Sequence, residues 1–307
     1  MKVQLFLIIV FFQFCYILNV NEENYIIGNF EINQTVSPVT IICNFFRKED
    51  IDIFVNGERI DFNNSYKFPT VGNYVITYKF KVYLYDMDRL FYECNSLVSL
   101  DLSHFYSSNV RNMDSTFSKS KNLRSINFGN FDSSKVTYFG GTFMDCESLT
   151  SLDLSRFDTS SAKDMRNMFQ GLQSIISLDL SNFKTDKVEI MVYMFFNCKN
   201  LATINLSSFK TNNVGYMGHM FDACPSLTNL NLKNFDTSNV ENMNNMFRNC
   251  KSIKHLDLSH FNLNKVRDMS RMFIGCSSLK ILNFPKFNNT EVNTANMFDG
   301  CPAQIYN

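Results

Sequence analysis

The sequence predicts an α/β protein, a curved solenoid with one short parallel strand and one short helix per 26-residue coil, preceded by a small all-β domain. Three observations predict it. Phenylalanine recurs at Phe91, Phe117, Phe143, Phe169, Phe195, Phe221, Phe247 and Phe273, an unbroken step of 26 residues. Each copy carries L-x-x-L-x-L, as in Leu227, Leu230 and Leu232, or a version of it with isoleucine or phenylalanine, the mark of a bend and a short strand with one inward face. Val240, Met243, Met246, Phe247 and Cys250 then fall on one helical stripe of roughly 120°.

Met1–Val20 begins with Lys2 and an apolar run, the pattern of a secretory signal peptide. It lacks a small-residue cleavage site, so an uncleaved N-terminal anchor stands beside that reading. No later stretch is long and apolar enough to span a bilayer. Residues 21–82 are β-rich at Val39–Phe46, Ile51–Val55 and Tyr74–Phe80. Asn56-Gly57 between two such runs signals a two-residue hairpin. This domain is expected to lie against the first coil and cover its open strand edge.

Residues 83–301 form the predicted solenoid. Thr237, Ser238 and Asn239 stand where side-chain oxygens would cap the helix. A second phenylalanine column starts at Phe105, and both columns point to the core. One copy buries too few apolar side chains to offset the ordering of its own backbone, so copies must stack. A helix about 10 Å thick on one side and strands about 4.8 Å apart on the other would curve the stack, strands innermost. Residues 302–307 remain as a short tail, in which Pro302 would stop the strand ladder.

Lys plus Arg and Asp plus Glu balance at 29 each, which excludes a field that recruits nucleic acid. Cys94, Cys146, Cys198, Cys224, Cys250, Cys276 and Cys301 share a column expected to be reduced and stacked, with one or two bridges as the alternative. A linear column does not converge on a zinc ion. The column Asp101, Asn127, Asp153, Asp179, Asn205, Asn231, Asp257 and Asn283 reads as a hydrogen-bonded ladder outside the strands. A line of cation ligands is the rival, without the glycine-bearing loop that calcium sites use. No nucleophile, base and orienting group meet at one depth, so no enzyme is expected, and no cofactor.

The predicted concave strand face is the candidate partner-binding surface. Its chemistry-bearing residues are Arg124, Asp153, Arg156, Asp179, Lys254, His255, Asp257, His260 and Lys280. Glycosylation motifs occur at Asn33, Asn63, Asn205 and Asn288.

Met272-Phe273-Ile-Gly-Cys276-Ser-Ser-Leu279 and Leu152-Asp-Leu-Ser-Arg-Phe157-Asp-Thr-Ser160 resemble the repeats of BspA-like leucine-rich-repeat surface proteins, also found in mycoplasma surface lipoproteins. The resemblance covers about residues 87–301. It implies a secreted or cell-surface protein that binds host, matrix or neighbouring-cell proteins, and it supplies no catalytic residues. A surface scaffold or coat element without a dedicated ligand is the alternative. The membrane would be met only through an uncleaved N-terminal segment.

Overall fold

Between residues 25 and 80 inward and outward residues alternate along the longer strands, and the computed structural model gathers four strands into one sheet and two short ones into a separate pair. It describes residues 24–43, 46–286 and 289–306, so the N-terminal signal or anchor expectation lies outside the described residues. The strands are β1 (Tyr25–Ile32), β2 (Val39–Thr40), β3 (Ile51–Val55), β4 (Glu58–Ile60), β5 (Ser65–Tyr66) and β6 (Gly72–Phe80). Asn56 and Gly57 take φ values of 49° and 87°, the left-handed pair that a tight β3–β4 hairpin requires.

The repeats contribute β7 (Leu97–Asp101), β8 (Ser125–Asn127), β9 (Ser177–Asp179), β10 (Thr203–Asn205), β11 (His255–Asp257) and β12 (Ile281–Asn283). The largest sheet has the order β4-β3-β6-β1-β7-β8. β1 lies antiparallel on β7, and β7 parallel on β8, so the sheet built from residues 25–80 runs directly into the repeats. Gly28, opposite Leu100, has no room for a Cβ, which would stand 2.9 Å from the Phe30 ring. The phenylalanine columns cross the same junction. Tyr78 packs edge-on against Phe91 at 5.4 Å and Phe80 against Phe105 at 5.5 Å.

Among the described residues there is no helix, and the predicted helical stretch is a chain of tight turns instead. In Met243–Cys250 every second N–H leaves its own coil. Met243, Asn245, Phe247 and Asn249 donate to the carbonyls of Asp268, Ser270, Met272 and Ile274 at 2.7–3.0 Å. The intervening N–H groups of Met246, Arg248 and Cys250 close local turns on residues three earlier, at 3.1–3.2 Å. Asn245 and Asn249 adopt positive φ to make this possible, and the same two offsets are left-handed in every coil from Arg89 and Glu93 to Asn296 and Gly300.

Stacking distance explains why turns win. Rings of the Phe91 column sit 5.4–6.2 Å apart. Helices about 10 Å thick cannot stack at that spacing. A chain of turns returns its apolar residues to one side every three or four positions, as a helix does, and so imitates the helical stripe. Rings of the Phe105 column are 5.8–6.4 Å apart. With neither side thicker, the premise that required a concave strand face lapses, and that face is simply the strand wall.

Inter-coil bonding occurs on all sides of the coil. A column of parallel bridges runs from Asp86 through Asn112, Tyr138, Asp164, Ile190, Tyr216, Asn242 and Asp268 to Asn293. Thr237, expected to cap a helix, is a buried clasp. Its hydroxyl accepts the Asn262 N–H at 2.7 Å and donates to the Asn262 carbonyl at 3.0 Å. Thr159 and Thr185 do the same one coil on, to Lys184 and Lys210.

The cysteines among the described residues are free. Cys146, Cys198, Cys224, Cys250 and Cys276 each donate from Sγ to the carbonyl of a phenylalanine one coil back, at 3.0–3.1 Å. Ser120, one of the column's two exceptions, makes the same bond to Phe91 at 2.6 Å. Most coils thus place a small donor here, whereas Leu172 fills the position with apolar bulk. Burial pushes the Cys276 thiol up to about 12, which keeps it protonated.

Nor does the ladder stop at Pro302. β13 (Gln304–Tyr306) pairs parallel with β12, Ile281 opposite Gln304.

Candidate interaction surface

Outward strand positions alternate with Leu100, Ile126, Leu178, Ile204, Leu256 and Leu282, which pack on the core, so the wall's side chains are held on a fixed backbone. Its corner is set by the Asp/Asn column. Each oxygen accepts the N–H two residues on: Asp101 from Ser103, Asp153 from Ser155, Asp179 from Ser181, Asn205 from Ser207 and Asp257 from Ser259, at 2.8–3.2 Å. These are Asx turns. Asn127 adds a rung across coils, donating from Nδ2 to Asp101 Oδ1 at 3.1 Å. The same turn recurs at two further corners, as at Asp158 with Ser160 and Asp164 with Arg166.

These hydrogen bonds hold the carboxyls low. The Ser155 hydroxyl and N–H depress Asp153, and the Ser259 N–H and hydroxyl depress Asp257. Asp236 is depressed by Ser238 and Asp132 by Ser134. A carboxyl whose folded pKa is depressed stabilises the fold fully above its unfolded value, about 3.9, and loses that contribution as pH falls through the folded value. Burial raises Asp114, Asp145 and Asp88, which acts in the opposite sense. The depressed group is the larger. The urea midpoint is therefore expected to fall on acidification below about pH 4. Asp236→Asn keeps the turn's acceptor and should flatten part of that slope, whereas a midpoint indifferent to acid would contradict the assignment.

The nine candidate residues do not act as one cluster. Arg124 lies near the first strands and faces Glu31 at 3.6 Å. Asp153 and Arg156 line a cavity of about 330 Å³ with Ile126, Asn127, Phe128, Gly129, Asn130, Phe131 and Phe157. Arg156 donates to Asn130 Oδ1 at 2.8 Å. Asp179 is tied into its Asx turn. His260 donates from Nε2 to the Leu232 carbonyl at 3.0 Å, a carbonyl being able only to accept.

Lys254, His255 and Lys280 differ from these. They are exposed, lie on adjoining coils, and make no side-chain hydrogen bond or ion pair among the described residues. The main chains join them, for the Lys280 N–H donates to the Lys254 carbonyl at 2.9 Å. Asp257 sits on the same strand as His255.

Of the glycosylation motifs, Asn33, Asn63 and Asn205 are exposed, and Asn288 lies outside the described residues. Asn205 is on the wall itself, its side-chain oxygen engaged by Ser207. Among the described residues no three His, Cys, Asp or Glu side chains are placed to hold a metal ion. Among them, too, no helix is long and apolar enough to cross a membrane.

Sequence reasoning missed the cavity and β1. The cavity's signal is Phe128, which replaces leucine in the column Leu102, Leu154, Leu180, Leu206, Leu232 and Leu258.

Comparison with known proteins gives a family. The family model described as "Mycoplasma protein of unknown function, DUF285" matches residues 85–204 and 191–306. No curated protein matches. A leucine-rich repeat protein from Bacteroides ovatus ATCC 8483 is similar in structure, with 16% identity and a TM-score of 0.37 over 78% of this chain and 70% of that one.

Proposed function

Because the chain belongs to the DUF285 family, a BspA-like leucine-rich-repeat group, we propose that it is a non-enzymatic secreted or cell-surface protein that binds a macromolecular partner through its strand wall. The observation that carries this reading is the group Lys254, His255 and Lys280, exposed and unpaired on adjoining coils. Elsewhere the wall's charged residues serve the scaffold, in Asx turns and inter-coil bonds. Lysines left without such a task on a backbone this constrained are preorganised for a partner, and binding then orders only their side chains. Their charge fits a carboxylate-bearing protein surface.

Binding of the purified chain to an array of matrix and cell-surface proteins tests this. Lys254→Glu with Lys280→Glu is expected to weaken a saturable interaction by at least about tenfold, chiefly by slowing association and reversing its salt dependence. An interaction unchanged by that double substitution would remove the wall's far end from the function.

A further inference from the structure

We propose that the cavity between residues 126–131 and 153–157 is a binding site for a single pyranose ring of a glycan. The inference deepens the reading of the strand wall as a binding surface and rests on it.

The cavity lies where one side chain departs from its column. Phe128 stands in the leucine column and drives its ring edge-on against Phe157 of the next coil, with centroids 4.7 Å apart. It also meets Phe117, Phe131 and Phe143 at 5.8–6.2 Å. The strand ladder opens at this point. β8 ends the first sheet, and the next paired strand on the wall is β9, one coil beyond the gap. Thr150, Ser151, Leu152 and Asp153 between them make no main-chain hydrogen bond among the described residues. The bridge column on the other side passes the same coil unbroken, from Tyr138 through Asp164 to Ile190. The opening is therefore local to the wall.

What borders the opening selects the ligand. Asp153 keeps a second oxygen to accept beside its Asx turn with Ser155, Arg156 keeps further N–H groups to donate beside its bond to Asn130, and the Asn130 amide can still donate. The free main-chain groups of residues 150–153 add donors and acceptors leading up to Asp153. One carboxylate and one guanidinium cancel, so the rim carries no net charge to hold an anion or a cation. Phenylalanine and isoleucine edges form the floor. A ligand that offers both donor and acceptor at each rim position, is uncharged, and has an apolar face is a polyhydroxylated ring: each hydroxyl donates and accepts, and the ring C–H groups meet the floor. The volume stands at the small end of the range for ligand pockets, roughly 300–1,000 Å³, which suits one ring and not an extended chain.

The test is ligand-observed saturation-transfer NMR on the full chain with methyl pyranosides of glucose, galactose, mannose and N-acetylglucosamine. At least one is expected to receive saturation from the protein. Phe128→Leu, which restores the leucine found in neighbouring coils, should close the gap and abolish the transfer. Asp153→Ala and Arg156→Ala, both at exposed positions, should each weaken binding by about tenfold. They keep the test decisive if Phe128→Leu does not fold. Absence of transfer to every pyranoside, or transfer that survives Asp153→Ala and Arg156→Ala unchanged, overturns the proposal. So does transfer confined to an acetylated Asn-Gln peptide, which would make the site a peptide pocket. A negative pyranoside result leaves the partner's sensitivity to Lys254 and Lys280 intact. Conversely, a partner indifferent to those lysines leaves any pyranoside signal standing, so the two readings fail separately.

Discussion

Phe195→Ala is expected to cost about 3–5 kcal/mol, the largest loss from any single truncation in the repeats. Phe195 is fully buried and stacks on Phe169 and on Phe221 at 5.5 Å each, with ring planes 4° and 9° apart. In a stack each coil rests only on its two neighbours, so one missing ring weakens two interfaces at once. Collapse around the void is restricted, because the backbones on either side are hydrogen-bonded from coil to coil. Phe195→Leu keeps most of the apolar area and gives up mainly the ring stacking, so about 1–1.5 kcal/mol should be lost. Urea unfolding of the two variants measures the difference. A cost near 1 kcal/mol for Phe195→Ala would mean that the phenylalanine column fills space without holding the coils together.

What the sequence made legible is what burial makes periodic. Phe91 to Phe273, the leucines of the wall and the methionines from Met113 to Met269 face inward in every coil, and a column of apolar residues needs no knowledge of backbone geometry to be seen. The backbone between them was not legible in the same way. Val240, Met243, Met246, Phe247 and Cys250 satisfy a helix and a chain of turns equally. The discriminating residues are Asn245 and Asn249, four apart and left-handed, a conformation that asparagine tolerates better than most. The second hint was Asp or Asn at three offsets per coil, as at Asp153, Asp158 and Asp164, each taking the N–H two positions on. The third corner, Asn242 in the coil of Val240, falls inside the predicted helical stripe and interrupts it. β1 was missed because Gly28 breaks an otherwise alternating run whose inward residues are Ile26, Phe30 and Ile32. The wall's residues could be named from their offsets. Which of them remain free for a partner depended on bonds to neighbouring coils, and those follow from stacking rather than from composition.

The hydroxyl clasp carries the second large effect. Thr185 is buried, accepts the Lys210 N–H at 2.8 Å, and donates to the Lys210 carbonyl at 2.8 Å. One hydroxyl thus satisfies both main-chain groups of a residue in the next coil. Thr185→Val preserves shape and apolar area while removing both bonds. The Lys210 N–H and carbonyl then stay in a water-poor seam without partners, at roughly 1–3 kcal/mol for each group. A loss of about 2–4 kcal/mol is expected, more than the 0.5–1.5 kcal/mol net worth of an ordinary hydrogen bond. Thr185→Ser retains the hydroxyl, as Ser133 does when it accepts the Asp158 N–H at 2.9 Å, and should cost less than about 1 kcal/mol. Hydrogen exchange locates the damage: in Thr185→Val the Lys210 amide should lose protection before the amides of the Phe195 turn. If Val and Ser variants unfold at the same urea concentration, the seam is hydrated and the clasp contributes nothing beyond its methyl group.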